Sequence, residues 1–142
     1  MCAAYHKDPH RILIVDDDVD FLMLLERKLI KQGFEVETAV TLPEAEEIID
    51  SFWPHILLLD INLNGADGRQ LSFKIKHTNS PHAPRIIMLS GYDYSAGRAA
   101  LFGADELIAK PLHYDYLVHR IEHHLLESPQ SARRQGKDAL PD

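Results

Sequence analysis

The stretch HILLLDINLNG, residues 55–65, contains four consecutive large aliphatic residues that end at an acid, Asp60, and are followed by the turn-forming pair Asn64-Gly65. A short continuous apolar run of this kind is typical of a strand buried on both faces of a parallel sheet. Residues 11–15, RILIV, show the same pattern and precede three consecutive aspartates. The sequence therefore predicts two buried strands, each ending in carboxylates.

Strands and helices are predicted to alternate along the chain. Three further segments have strand character: FEVET (34–38), RIIML (85–89) and ELIA (106–109). Apolar residues at helical spacing between the strands predict five helices, marked by Leu22, Leu25 and Leu29, by Ala45, Ile48 and Ile49, by Leu71 and Ile75, by a short segment near 95–102, and by Leu117, Ile121 and Leu125. Because parallel strands need crossover connections, this alternation predicts an α/β protein with a doubly wound five-stranded parallel sheet, for which the usual strand order is 2-1-3-4-5.

Helix boundaries are also marked in the sequence. Asp18 or Asp20 can cap the first helix, and Gly33 stands where a left-handed residue is expected to end it. Thr41 and Glu44 have the spacing of a capping box at the start of the second helix.

Length and composition indicate one globular domain. The chain has 142 residues, of which 45% are hydrophobic, and its net charge of -7 offers no basic surface for direct nucleic-acid binding. A single cysteine, Cys2, cannot form an internal disulfide, and no apolar run approaches membrane-spanning length, so we expect a cytoplasmic protein that does not bind membranes. The expected organisation is an N-terminal extension (1–10), one domain (11–127) and a mobile tail (128–142).

Polar residues follow four of the predicted strands. Asp16 and Asp17 follow the first, Asp60 ends the third, Ser90 follows the fourth and Lys110 follows the fifth. Ligands bind at this edge of doubly wound sheets, so we expect these side chains to converge. Neighbouring carboxylates repel each other unless a cation is present, and all-oxygen ligands suit Mg²⁺. With Lys110 as a second positive charge and Ser90 as a hydroxyl donor, the predicted site would hold a phosphoryl group.

Four motifs at these strand ends, IVDDD (14–18), LLLDINLNGADG (57–68), IIMLSG (86–91) and GADELIAKP (103–111), together resemble the signatures of receiver domains, the response-regulator modules of two-component signalling. The resemblance implies a flavodoxin-like fold and a phosphorylation-dependent switch. Its partners would be a histidine kinase or histidine phosphotransfer protein and a downstream protein or effector domain. The resemblance also allows a phosphorylation-dependent dimer. The chain would catalyse only its own phosphorylation and dephosphorylation, and would not otherwise be an enzyme.

The resemblance also implies a role for each site residue. Asp60 would accept the phosphoryl group and would bind Mg²⁺ together with Asp17 and the backbone carbonyl of Asn62, while Asp16 would act largely through water. Lys110 would contact the phosphate, and Ser90 would be drawn towards it. The peptide bond before Pro111 would be cis.

The sequence departs from the family pattern near the site. Leu107 occupies the switch position where the family usually has an aromatic residue, and Asn64 replaces a common proline. The interval from Ser90 to Gly103 is also slightly short, and Tyr92 lies at a position that influences phosphate lifetime in the family.

Two other functions are compatible with parts of this pattern. One is a receiver-like protein-interaction module with little phosphorylation, which would be expected to lack Asp60, Asp17 or Lys110. The other is an aspartate-nucleophile phosphatase of the haloacid dehalogenase type, but that class places its nucleophile after the first strand and its acidic pair last.

Some residues are given structural interpretations only. Phe52 and Trp53 are predicted to close the core under the second helix. Four histidines are predicted to lie on the solvated face of the last helix rather than to bind a metal: His113, His119, His123 and His124.

Overall fold

The computed structural model describes residues 8–91 and 103–127, and within it the predicted strands form one parallel sheet. The strands of the described residues are β1 (Arg11–Val15), β2 (Glu35–Ala39), β3 (Ile56–Asp60), β4 (Asn62–Leu63), β5 (Ala66–Asp67), β6 (Arg85–Ser90) and β7 (Glu106–Ala109). The sheet has the order β2-β1-β3-β6-β7, which confirms the predicted order of its five strands. The remaining two, β4 and β5, form a small antiparallel hairpin that the sequence analysis identified only as a turn.

Helices connect parallel strands, and one more helix follows the last strand. They are α1 (Val19–Gln32), α2 (Leu42–Phe52), α3 (Arg69–Thr78) and α4 (Tyr114–Glu127). In the described part of the chain, no helix combines the length and apolar character that crossing a bilayer requires. The short helix predicted near 95–102, residue Tyr92, the tail from 128 and residues 1–7 of the predicted extension lie outside the described residues.

The sheet separates two hydrophobic cores because successive strand side chains point to opposite faces. Residues such as Ile14 and Leu58 pack with the apolar faces of α1 and α4. Their chain neighbours Val15 and Leu59 pack on the other face with residues of α2 and α3. Burial on both faces explains why these strands are continuously apolar.

Helix ends follow the predicted capping chemistry. The Asp18 side chain accepts a hydrogen bond from the Phe21 N–H at 3.1 Å, and Gly33 ends α1 with φ of 109°. At α2, the Thr41 hydroxyl accepts from the Glu44 N–H at 3.3 Å, while the Glu44 carboxylate accepts from the N–H of Val40 at 2.8 Å. The return bond thus lies one residue earlier than in an ideal capping box.

Trp53 differs from its predicted place in the core. It ends α2 in the left-handed conformation, with φ of 50°, and is 47% exposed. Its ring stacks on His82, with 3.9 Å between the ring centroids. The prediction that Trp53 closes the core is therefore wrong, because the turn after α2 directs it outwards onto another loop.

His124 is not on a solvated helix face as predicted. It is 3% exposed, and its Nε2 lies 2.7 Å from Glu106 Oε1 at the start of β7. Its Nδ1 lies 3.3 Å from an Arg85 guanidinium nitrogen, which can only donate. His124 is therefore a buried link between α4 and two strands. His113 precedes α4, which begins at Tyr114.

Candidate functional site

The strand register brings the predicted acidic residues to one edge of the sheet. Val15 pairs with Leu59 across β1 and β3, so Asp16 and Asp60 follow at adjacent strand ends. One carboxylate oxygen each from Asp16, Asp17 and Asp60 lies within 4.8 Å of the others. We call these three residues the acidic cluster. Asp16 is fully buried and Asp60 is 8% exposed, so their charges are only weakly screened by solvent.

Lys110 neutralises part of the acidic cluster. Its Nζ lies 2.6 Å from Asp16 Oδ2 and 3.4 Å from Asp60 Oδ2. Burial alone would lower the pKa of Lys110, but the hydrogen bond and charge of Asp16, together with those of Asp60, outweigh burial and raise this pKa above its ordinary value. The ammonium charge is therefore retained at neutral pH.

The charge of Lys110 does not fully compensate the cluster. Burial, and then the charge of Asp16, raise the pKa of Asp60 above its ordinary value of 3.8, although Lys110 and the Asn62 N–H oppose the shift. A hard divalent cation would relieve this repulsion, and the three carboxylates supply the oxygen donors that Mg²⁺ prefers. The donor set of the acidic cluster thus fits Mg²⁺.

The loop after Asp60 binds two members of the acidic cluster through its backbone. The Asn62 N–H lies 3.3 Å from Asp60 Oδ1, and the Asn64 N–H donates to Asp17 Oδ2 at 2.8 Å. Asn64 and Gly65 both have positive φ, 50° and 89°, as a tight two-residue hairpin turn requires. Proline, which is common in the family at position 64, has no N–H. The hydrogen bond to Asp17 is therefore possible only because Asn64 replaces that proline.

Gly68 fits the start of α3 against the strand that carries Asp60. A Cβ at Gly68 would lie 2.2 Å from the backbone oxygen of Asp60. The Gly68 N–H donates to the Ile61 carbonyl at 2.6 Å, which closes the hairpin loop. This role of Gly68 was not predicted from the sequence, although its place in the LLLDINLNGADG motif was a signal.

The remaining predicted site residues lie on β6, on β7 or just after β7. Ser90 is buried at the end of β6, pairs with Ala109, and its carbonyl accepts from the Lys110 N–H at 2.7 Å. The peptide bond between Lys110 and Pro111 is cis, as predicted. Leu107 pairs with Met88 and packs against the core formed with α2 and α3. The structure thus brings Asp16, Asp17, Asp60 and Lys110 together, with Ser90 on the neighbouring strand end and Leu107 partly buried against one core.

Lys110 also contacts Phe21, and this contact was not predicted from the sequence. Phe21 packs against the core on the apolar side of α1. Its ring also lies under the Lys110 ammonium, with 4.5 Å between Nζ and the ring centroid. Its position three residues after Asp18 gave no sign of this contact.

Comparisons with known proteins agree with this architecture. The family model described as the response regulator receiver domain matches residues 12–122. A CheY-like receiver domain structure from Methanospirillum hungatei JF-1 is 32% identical, with a TM-score of 0.75, and the match covers 84% of this chain and 96% of that chain. A response regulator (signal receiver domain) from Bermanella marisrubri is 30% identical over 83% of this chain and 99% of that chain, with a TM-score of 0.77. The BeF3-activated N-terminal receiver domain of Klebsiella pneumoniae RstA is 28% identical over 82% of this chain and 98% of that chain, with a TM-score of 0.74.

Proposed function

Because this chain belongs to the family of response regulator receiver domains of two-component signalling, we propose that Asp60 accepts a phosphoryl group in a Mg²⁺-dependent reaction and that the phosphorylated chain acts as a signalling switch. The observation that carries the proposal is the convergence of Asp16, Asp17, Asp60 and Lys110 at one sheet edge. Such a group of opposed charges is costly to maintain for stability alone. It is suited to binding a dianionic phosphoryl group.

Mg²⁺ would be held by Asp17, Asp60 and the backbone carbonyl of Asn62, with Asp16 acting through water. Once bound, the ion would neutralise the acidic cluster and bind phosphoryl oxygens. The Asn64 N–H orients the Asp17 carboxylate through their 2.8 Å hydrogen bond. The position of Asp17 therefore does not depend on side-chain packing alone.

Asp60 is the proposed nucleophile. One of its carboxylate oxygens forms a bond to the phosphorus of a donor phosphohistidine while the phosphorus–nitrogen bond breaks. The electron pair of that bond stays on the imidazole nitrogen, and a proton on the other ring nitrogen allows a neutral histidine to leave. The product on this chain is an acyl phosphate, in which the attacking oxygen of Asp60 has become the bridging atom.

Lys110 and Ser90 would stabilise the transferred group. In the loose transition state of phosphoryl transfer, charge is spread over the three equatorial oxygens, so positioned cations and donors supply much of the catalysis. Lys110 already lies 3.4 Å from Asp60 Oδ2, and Ser90 is the last residue of β6, the strand that pairs with the strand of Asp60. Attack of water on phosphorus would break the bond to Asp60 and release inorganic phosphate, restoring the carboxylate. The chain thus acts only on its own phosphate and is not otherwise an enzyme.

The proposed phosphodonor is a protein, a histidine kinase or a histidine phosphotransfer protein. The first turns of α1 come shortly after Asp16 and Asp17 in the chain. They expose three apolar side chains, those of Val19, Met23 and Leu24. An apolar surface beside a phosphoryl site suits the docking of a donor domain rather than of a small ion. A downstream protein or effector domain would then bind the phosphorylated form.

Acetyl phosphate provides a direct test. We expect the full chain, incubated with acetyl phosphate and Mg²⁺, to gain the mass of one phosphoryl group in intact-mass measurements, and we expect this gain to disappear without Mg²⁺. Asp60→Asn should gain nothing. Asp67→Asn is the matched control, because Asp67 lies outside the acidic cluster and pairs with Arg69 at 2.8 Å. A wild-type chain that gains no phosphoryl group from acetyl phosphate or phosphoramidate would contradict the proposal.

A further inference from the structure

Lys110 is held by an aromatic ring as well as by carboxylates. Its ammonium has three N–H donors, and the Asp16 and Asp60 carboxylates lie 2.6 Å and 3.4 Å away. On another side the charge lies over the Phe21 ring, 4.5 Å from the centroid. The ring face attracts a cation but accepts no conventional hydrogen bond, so it leaves the N–H donors for oxygen atoms.

From this arrangement we infer that Phe21 is a positioning residue for phosphoryl transfer, whose ring holds the Lys110 ammonium beside Asp60 with an N–H available for a phosphoryl oxygen. The inference rests on the proposed function. It extends that function to a residue outside the acidic cluster.

Asp16 and Asp60 compete for the Lys110 ammonium, and this competition explains why the contact with Phe21 matters for its position. Asp16 is fully buried and makes the shorter ion pair, so it draws the ammonium away from Asp60. The Phe21 ring attracts the ammonium independently of either carboxylate, with 4.5 Å between Nζ and the ring centroid. Without it, we expect Lys110 to lie closer to Asp16 and to reach the transferred group less often.

The local sequence fixes the place of the ring. The Phe21 N–H donates to the N-capping carboxylate of Asp18, so the backbone of Phe21 is anchored immediately after Asp16 and Asp17. Its side chain packs against the core between the sheet and helices α1 and α4. The segment between β1 and the first turn of α1 therefore positions the Phe21 ring as well as Asp16 and Asp17.

Ring fluorination separates electrostatic attraction from shape. In the full chain, Phe21 is replaced by phenylalanines carrying one, two and three ring fluorines, which keep the ring but progressively weaken its attraction for a cation. We expect the rate of Asp60 phosphorylation by acetyl phosphate to fall stepwise, by roughly two- to fivefold over the series. The thermal unfolding midpoint should stay constant. Phe73, which is exposed and stacks on His77, is the control site for the same replacements.

Conventional variants and NMR provide independent readouts. Phe21→Tyr should phosphorylate within about twofold of wild type because it keeps a ring face, whereas Phe21→Leu should be at least as slow as the trifluorinated chain. The Lys110 methylene proton resonances, shifted upfield by the ring, should move downfield in Phe21→Leu.

Failure of this inference is distinguishable from failure of the proposed function. If the wild type is phosphorylated normally and fluorination of Phe21 leaves the phosphorylation rate unchanged, only the role of Phe21 is overturned. The same conclusion follows if fluorination of Phe73 lowers the rate as much as fluorination of Phe21 does. A wild-type chain without any phosphoryl gain would overturn the proposed function and the role of Phe21 with it.

Discussion

At the residue scale, the acidic cluster places Asp60 where its charge is unfavourable for folding. Burial and the Asp16 charge raise the pKa of Asp60, so the folded chain binds its proton more tightly than the unfolded chain does. The contribution of Asp60 to the stability of the wild type should therefore fall as the pH rises from the ordinary value of 3.8 through the higher folded pKa. Above the folded pKa the cost is fully present unless a cation is bound.

We predict that Asp60→Asn stabilises the metal-free chain at pH 7. The amide removes the buried charge, and we expect the free energy of unfolding to rise by on the order of 1 kcal/mol in urea titrations. This advantage should shrink as the pH is lowered towards 3.8, where the wild-type carboxyl becomes neutral. Added Mg²⁺ should stabilise the wild type more than the variant, since only the wild type keeps all three carboxylates.

Asp67 provides a control because its pKa is lowered, whereas the pKa of Asp60 is raised. The hydrogen bond from Arg69 lowers the pKa of Asp67, so its contribution to stability is present above the unfolded pKa and is lost as the pH falls through the folded one. Asp67→Asn should therefore destabilise the chain slightly at neutral pH. If Asp60→Asn were also less stable than wild type without Mg²⁺, charge repulsion in the cluster would be refuted.

At the element scale, the start of α3 is fitted against β3 at Gly68. The backbone there has φ of -59° and ψ of -22°, a conformation that alanine adopts readily. On conformational entropy alone, Gly68→Ala would stabilise the chain. The clash with the Asp60 backbone oxygen, 2.2 Å from the added Cβ, acts in the opposite direction.

We predict that the steric clash at Gly68 outweighs the entropic gain. Gly68→Ala should lower the free energy of unfolding by about 1–3 kcal/mol, as overpacking against backbone does, and should slow phosphorylation because the Asp60 backbone must shift. Chemical denaturation and acetyl phosphate kinetics measure both effects. Gly91→Ala is the steric control, since among the described residues other than its chain neighbour no atom lies within 4 Å of its added Cβ. An alanine variant at 68 as stable as wild type would contradict the predicted clash.

The elements that could be predicted from sequence are those whose signals are local. The continuous apolar runs of β1 and β3 and the caps at Asp18 and Thr41 depend on adjacent residues, and the structure confirms them. The acidic cluster was predictable because parallel strands end at a common edge. Contacts between distant segments carry no such signal. For this reason the stacking of Trp53 on His82, the burial of His124 and the ring under Lys110 were not predicted.

At the scale of the whole molecule, a charged network crosses the sheet at the edge opposite the acidic cluster. Asp105, just before β7, accepts a hydrogen bond from the Ile86 N–H at 2.7 Å and pairs with Lys76 of α3 at 3.3 Å. Arg85 lies 3.7 Å from Asp105 and reaches His124 of α4. Since α3 and α4 cover different faces of the sheet, this network joins the two layers that flank it.

We predict that Asp105→Ala destabilises the fold without impairing the site. The substitution removes the acceptor of the buried Ile86 N–H and a partner of Lys76 and Arg85, so we expect a loss of about 1–3 kcal/mol in the free energy of unfolding. Asp50→Ala, on the exposed side of α2, should change it by less than about 0.5 kcal/mol. Under folding conditions, acetyl phosphate should phosphorylate Asp105→Ala at the wild-type rate, because Asp105 and Asp60 lie at opposite ends of their strands. Equal stability of the two variants would show that the network does not support the fold. A selective loss of phosphorylation in Asp105→Ala would show instead that the two edges of the sheet are coupled.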